Sequence, residues 1–187
     1  LWRYVIILRM NMTFESVGVV GAGAMGRGIA QIAAQAGSTV MLFDTQAEAV
    51  DKARAAVFAQ WDRLLEKGRM DAAQVAACKA RLLPAATLLD LARCALVIEA
   101  VVERLDVKKS LFAELEAIVA PDAVLATNTS SLSVTAIAAG LRQPQRFAGY
   151  HFFNPVPLMK VVEVIAGLKT APDACTRLAA FAREMGH

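Results

Sequence analysis

The stretch from Val17 to Asp44, VGVVGAGAMGRGIAQIAAQAGSTVMLFD, constrains the fold more than any other part of the chain. A short apolar run, Ser16 to Val20, leads into glycines at positions 21, 23 and 26. An alanine-rich segment without proline, Ala24 to Ala36, follows and stops at Gly37, and a second apolar run, Thr39 to Phe43, ends on Asp44. This order predicts strand, tight turn, helix, turn and strand, with an acid at the tip of the second strand. In a dinucleotide site Gly21 permits the turn, Gly23 lets the backbone approach a pyrophosphate, and Gly26 lets helix and strand pack closely. The segment Gly21, Ala22, Gly23, Ala24, Met25 and Gly26 is therefore the candidate phosphate turn. The helix N-terminus behind it offers unpaired N–H groups and a positive dipole end. A glycine turn also occurs without any ligand, but here strand, helix, second strand and acid stand together at the required distances. Asp44 can take both ribose hydroxyls of an adenosine, and its charge repels a 2′-phosphate. Thr45 and Gln46 supply no cation to reverse that, so the cofactor expected is NAD rather than NADP.

A chain of 187 residues accommodates one domain, or one domain with an appendage. Its hydrophobic fraction of 57% owes much to alanine. The longest stretch free of charge, Ala123 to Leu141, is interrupted by Thr127-Asn128-Thr129-Ser130-Ser131, so no membrane span is expected. A net charge of +3 with interspersed signs, and no basic block, gives no reason to expect a nucleic-acid partner. Three scattered cysteines (Cys78, Cys94 and Cys175) and only two histidines lack metal-ligand spacing, so no metal site is expected. Reduced thiols fit a cytoplasmic protein. The opening segment, residues 1–13, has an apolar core too short for a signal peptide and reads as a mobile extension.

After Asp44 the pattern predicts a helix from Ala47 to about Lys67, broken at Gly68, and a second from about Asp71 to Leu83, stopped at Pro84. The pair reads as an antiparallel hairpin inserted at about 46–83, mildly basic, with an apolar side to be laid against something. A buried-type strand, Leu96 to Glu99, precedes an amphipathic helix capped by Asp106 and running to about Val119. A strand from Ala123 to Thr127 and a short helix from Ser133 to Ala139 follow. Strands alternating with helices at this spacing imply a doubly wound α/β domain, a largely parallel sheet covered on both faces. Ligands gather at the carboxyl ends of such strands, where Glu99, Glu103, Asn128 and Ser130 lie.

Two β-rich runs, Phe147 to Phe153 and Met159 to Ile165, flank Asn154-Pro155-Val156-Pro157. A chain folding back near Pro157 makes an antiparallel pair and sets His151 opposite Glu163. A carboxylate facing a histidine fixes its tautomer and raises its basicity for acid–base work, although a structural pair would have the same pattern. Glu163 stands among Val161, Val162, Val164 and Ile165 and is read as an acid that is costly to bury without a purpose. A last helix is expected from Pro172 to Gly186.

With these residues laid out, the chain resembles the NAD-binding domain of the L-3-hydroxyacyl-CoA dehydrogenases over about Glu15 to Gly186. The likeness rests on GAGAMGRGIA, the strand-end Asp44, IEAVVERLDVKK, TNTSS and HFFNPVPLMKVVEV, in family order and spacing. It is similar to bacterial enzymes of phenylacetate catabolism and to 3-hydroxybutyryl-CoA dehydrogenases. The resemblance implies NAD-dependent oxidation of an L-3-hydroxyacyl-CoA to the 3-ketoacyl-CoA, with His151 as acid–base and Glu163 orienting it. It implies that Ser130 meets the substrate oxygen and the cofactor, and that Asn154, Glu103 and Lys108 are beside the cofactor. It also implies that Lys67 and Gln60, on the hairpin, face coenzyme A. The family continues into a helical C-terminal domain that closes the cleft and supplies much of a homodimer interface. The sequence stops at His187 before such a domain, which is therefore expected to be absent. Two other readings stay open: a dinucleotide-binding module without turnover, and a dehydrogenase of free hydroxy acids.

Overall fold

Runs such as Val17–Val20 and Leu96–Ile98 are apolar on both sides because the strands they form are covered on both faces. The structure, a computed structural model, describes residues 12–187. Seven strands form one sheet in the order β3-β2-β1-β4-β5-β6-β7. They are β1 (Ser16–Val20), β2 (Thr39–Phe43), β3 (Leu82–Pro84), β4 (Leu96–Glu99), β5 (Val124–Thr127), β6 (Phe147–Phe152) and β7 (Val162–Ala166). All pair in parallel except β7, which runs antiparallel to β6. The helices are α1 (Ala24–Ala36), α2 (Ala47–Glu66), α3 (Ala72–Arg81), α4 (Leu105–Ile118), α5 (Val134–Ala138) and α6 (Pro172–Glu184). The expected doubly wound α/β architecture is the one observed.

Alternate residues along each strand feed two cores. Val17, Val19, Leu96 and Ile98 join the core under α1, the α2–α3 hairpin and α6, where Trp61, Phe181 and Ile29 are fully buried. Val97 and Leu125 point the other way, to Phe112 and Leu115 of α4. The hairpin lays Val50, Ala53, Val57, Trp61, Val75 and Cys78 into the first core, so its apolar side is covered by the body of the domain. Asp71 caps α3 as expected: its Oδ1 accepts from Gln74 N–H, and the Gln74 side chain accepts from Asp71 N–H in return.

Three local expectations need correction. The helix expected to reach Leu83 ends at Arg81, and Leu82–Pro84 instead form an edge strand with Val40 facing Leu82. Leu82 gains full burial by extending, Leu83 is pushed toward extended backbone by the following proline, and an edge position tolerates Pro84's missing donor. Asp106 does not cap α4; the N-cap is Arg104, without a side-chain bond. Asp106 sits in the first turn, pairs with Arg104 at 2.5 Å and complements the helix dipole there. The strand expected from Met159 begins at Val162, because Leu158 and Met159 N–H groups turn back onto Pro155 O.

The mobile segment expected over 1–13 lies, for residues 1–11, outside the described residues. Thr13 lies inside them, and its hydroxyl donates to Glu184 of α6 at 2.6 Å. Among the described residues no helix is long and apolar enough to cross a membrane. All three cysteines are free, and burial pushes the Cys94 thiol up to about 12.

Candidate functional site

The strand order reverses between β1 and β4, and ligands of open α/β sheets settle in the crevice beyond the carboxyl ends at such a point. The glycine turn forms one wall. Gly21 has φ +105°, and a side chain there would meet Ala100 O at 2.5 Å. A methyl on Gly26 would stand 1.8 Å from Gly21 O, so α1 starts directly against the turn. Gly23, the N-cap of α1, has nothing within 4 Å of where a Cβ would be, and no side chain caps the helix. Open space and uncapped first-turn amides suit a pyrophosphate. Asp44 is fixed at the tip of β2, where its carboxylate accepts from Ala22 N–H at 2.8 Å and Gln46 N–H at 3.0 Å.

Two adjoining cavities share Ala100 and Val101 and form a groove over the strand ends. The larger, about 1360 Å³, is lined by Gly21, Gly23 and Asp44 and extends past Leu88 and Leu89 along α4 to Ile118. The smaller, about 360 Å³, is lined by Met25, Glu103, Lys108, Ser130, His151 and Asn154, among others.

Charge is concentrated beneath the smaller cavity. Glu99, at the end of β4, is fully buried, and Lys108 is 1% exposed; their Oε1 and Nζ are 2.5 Å apart. Lys108 Nζ also lies 3.2 Å from Glu103 Oε2. Glu103 Oε1 accepts from the Thr129 hydroxyl and from Ser130 N–H at 3.2 Å. Partial burial works against the Glu103 charge, but the Thr129 hydroxyl and the Lys108 ammonium prevail and hold its carboxyl down to about 2.

On the far wall, β6 and β7 pair with His151 opposite Glu163 in register. His151 Nδ1 lies 2.8 Å from Glu163 Oε2. A carboxylate only accepts, so Nδ1 carries the proton and Nε2 keeps its lone pair. Glu163 is not the buried acid the sequence suggested: its side chain is 54% exposed, against 17% for His151. β7 is an edge strand, and its apolar run remains partly open to solvent.

The structure thus brings Met25, Glu103, Lys108, Ser130, His151 and Asn154 around one cavity, with Glu163 behind His151. Gly21, Gly23 and Asp44 line the other, while Ala22, Ala24 and Gly26 build the turn without lining either. Gln60 and Lys67 are exposed on the hairpin and line neither cavity. Sequence reasoning noted Glu99 and Asn128 as strand-end residues without giving them work. Glu99 anchors Lys108, and Asn128 Oδ1 accepts from Phe152 N–H at 2.9 Å, tying β5 to the strand of His151. Among the described residues no group of His, Cys, Asp or Glu could hold a metal ion.

Fold and groove define a dinucleotide-binding domain of the Rossmann type. Residues 16–187 match the model of the family "3-hydroxyacyl-CoA dehydrogenase, NAD binding domain", and the chain belongs to that family. It is 45% identical over 169 residues to 3-hydroxyadipyl-CoA dehydrogenase of Escherichia coli K12, covering 90% of this chain and 36% of that protein. It is 43% identical over 161 residues to 3-hydroxybutyryl-CoA dehydrogenase of Bradyrhizobium diazoefficiens, covering 86% of this chain and 55% of that one. A crystal structure of 3-hydroxybutyryl-CoA dehydrogenase from Escherichia coli K12 superposes with a TM-score of 0.91 at 44% identity, covering 92% of this chain and 37% of that one. The chain therefore spans about a third to just over half the length of these relatives.

Proposed function

We propose that this chain is the NAD-binding part of an enzyme that oxidises L-3-hydroxyacyl-CoA esters to 3-ketoacyl-CoA esters. The observation that supports it best is the His151–Glu163 pair, 2.8 Å apart, standing at the cavity that Ser130, Asn154 and Met25 also line. Relatives that share the domain are named as dehydrogenases of 3-hydroxyadipyl-CoA and 3-hydroxybutyryl-CoA.

In this reading Gly21 to Gly26 take the pyrophosphate and Asp44 takes the adenosine ribose hydroxyls. Asn154, Glu103 and Lys108 flank the nicotinamide end. The bound nicotinamide supplies the hydride acceptor. His151 Nε2 removes the proton of the substrate's 3-hydroxyl, and Glu163 stabilises the imidazolium that forms. The Ser130 hydroxyl donates to the same oxygen and orients it. Lys67 and Gln60 make the hairpin a platform for coenzyme A. The intact protein works in the cytoplasm as a homodimer, with a second domain closing the cleft.

The test is NADH-dependent reduction of acetoacetyl-CoA by the intact protein, followed at the reduced-nicotinamide absorbance band. His151→Gln is expected to lower kcat by about a hundred- to ten-thousandfold with NADH affinity preserved. Retention of more than about a tenth of parental kcat would overturn the role of His151. Equal turnover of free acetoacetate would make the coenzyme A platform idle, and tight NADH binding without any turnover would leave a binding module.

A further inference from the structure

A buried ion pair is weak evidence for stability, since an apolar pair of the same size often serves a fold as well or better. Glu99 and Lys108 lie at the carboxyl end of the sheet and are all but inaccessible, so what they hold in place matters more than their attraction. Glu99 Oε1 accepts from Val101 N–H at 2.7 Å and from Lys108, while Oε2 accepts from the Thr127 hydroxyl at 2.7 Å. One carboxylate therefore joins the turn after β4, the first turns of α4 and the end of β5. Lys108 carries the linkage outward to Glu103. Glu103 in turn gathers the loop after β5, through Thr129 and through the N–H groups of Ser130 and Ser131 at 3.2 and 3.4 Å.

We propose that Glu99 is a positioning residue for the reaction. It fixes the Lys108 ammonium, Lys108 fixes the Glu103 carboxylate, and Glu103 holds the Thr129–Ser131 loop so that Ser130 stands at the smaller cavity. Glu103 is more than a third exposed in its side chain and has Lys108 as its ion-pair partner among the described residues, so without that ammonium the carboxylate is free to turn to solvent. Glu99 itself lines neither cavity and acts only through the others. This inference rests on the dehydrogenase reading for the consequence in catalysis, but not for the consequence in the loop.

Two readouts in the intact protein test it. In the absence of cofactor, amide hydrogen exchange at Ser130 and Ser131 is expected to quicken about tenfold in Glu99→Gln, while α1 and β1 amides keep their protection. In Glu99→Gln/Lys108→Met the buried ammonium that Glu99 no longer balances is gone, thermal stability returns, and the loop exchange stays fast. In turnover, Glu99→Gln is expected to lose about ten- to a hundredfold in kcat, with KM for acetoacetyl-CoA changed less than about threefold, and Glu99→Asp to recover part of it. Unchanged loop exchange in Glu99→Gln, or exchange that returns to normal together with stability in the double variant, would overturn the inference. So would a kcat loss that tracks melting temperature alone. Failure of the unsubstituted protein to turn over any 3-hydroxyacyl-CoA would instead refute the dehydrogenase reading, and the exchange experiment would still decide the role of Glu99.

Discussion

Two glycines only three residues apart should respond to the same substitution differently in stability, though both should lose affinity for the cofactor. An added Cβ at Gly26 would stand 1.8 Å from Gly21 O and 2.9 Å from Gly21 C, where real contacts keep 3.0 Å or more. Both obstacles are backbone, so the start of α1 must retreat from the turn by more than an ångström. Overpacking of this kind costs about 1–3 kcal/mol, of which the better helix propensity of alanine returns up to about 1. For a domain of this size a net 2 kcal/mol corresponds to a melting point lower by about 4–8 °C. A helix N-terminus moved that far should also weaken NADH binding by about a hundredfold. At Gly23 the same methyl meets nothing, and φ −67°, ψ −171° suits alanine. A less favourable N-cap and a less flexible unfolded chain nearly cancel, leaving stability within about 0.5 kcal/mol. Affinity should still fall, because the methyl enters the open space proposed for the pyrophosphate. Differential scanning calorimetry and nicotinamide fluorescence titration on both variants measure the four quantities. Wild-type melting and binding in Gly26→Ala would refute the close approach. Wild-type affinity in Gly23→Ala would refute the cradle.

Asp44→Ala should narrow the preference for NADH over NADPH, put at roughly a hundredfold, mainly by weakening NADH; equal dissociation constants in the unsubstituted protein would contradict the role given to Asp44. Glu163→Gln should lower kcat for acetoacetyl-CoA by at least about tenfold with NADH affinity unchanged, and Glu163→Asp should recover part of the loss. Glu103, held down to about 2 from an ordinary 4.5, contributes stability that is complete above about 4.5 and lost as pH falls toward 2. Urea midpoints at pH 5 and pH 2.5 should therefore differ less in Glu103→Gln than in the unsubstituted protein.

The phosphate turn, the alternation of strands and helices and the facing of His151 and Glu163 were legible because each is set by local chemistry. Glycine positions, hydrophobic runs and a proline-bearing reversal fix them within a few residues of sequence. What escaped depends on residues far apart in the chain. Leu82–Pro84 reads as a helix end until Val40 is there to pair with it. Asp106 looks like a cap, but the helix begins two residues sooner, after Arg104. Glu163 looks buried because its neighbours are apolar, yet β7 has a partner on one side only. The groove along α4 to Ile118 carries no motif at all, since an apolar wall needs shape and not particular residues. Glu99 stands out in the sequence as a charge ending an otherwise apolar strand, but its partner Lys108 lies in the first turns of α4 and nothing in the sequence aligns the two.

Two acids at strand ends, Asp44 after β2 and Glu99 at the end of β4, carry their charge differently, and this follows from what each must do. Asp44 lines the larger cavity and remains partly exposed, with two backbone N–H groups holding its carboxylate, so in the proposed role it can trade solvent for ribose hydroxyls at little cost. Glu99 has no such freedom. With its carboxylate engaged by Val101, Lys108 and Thr127 and no surface exposed, it offers nothing to a ligand. Removing only its charge would leave an ammonium buried beneath a loop, which is more damaging than removing both partners. A chain that needed only a stable sheet end could place two apolar side chains there. One that must hold a serine loop and a histidine strand in fixed relation needs directional bonds at the junction. Glu99 supplies them twice: its side chain leads through Lys108 and Glu103 to Ser130, and its backbone carbonyl accepts from Asn128 N–H at 2.8 Å, whose side chain holds the strand of His151.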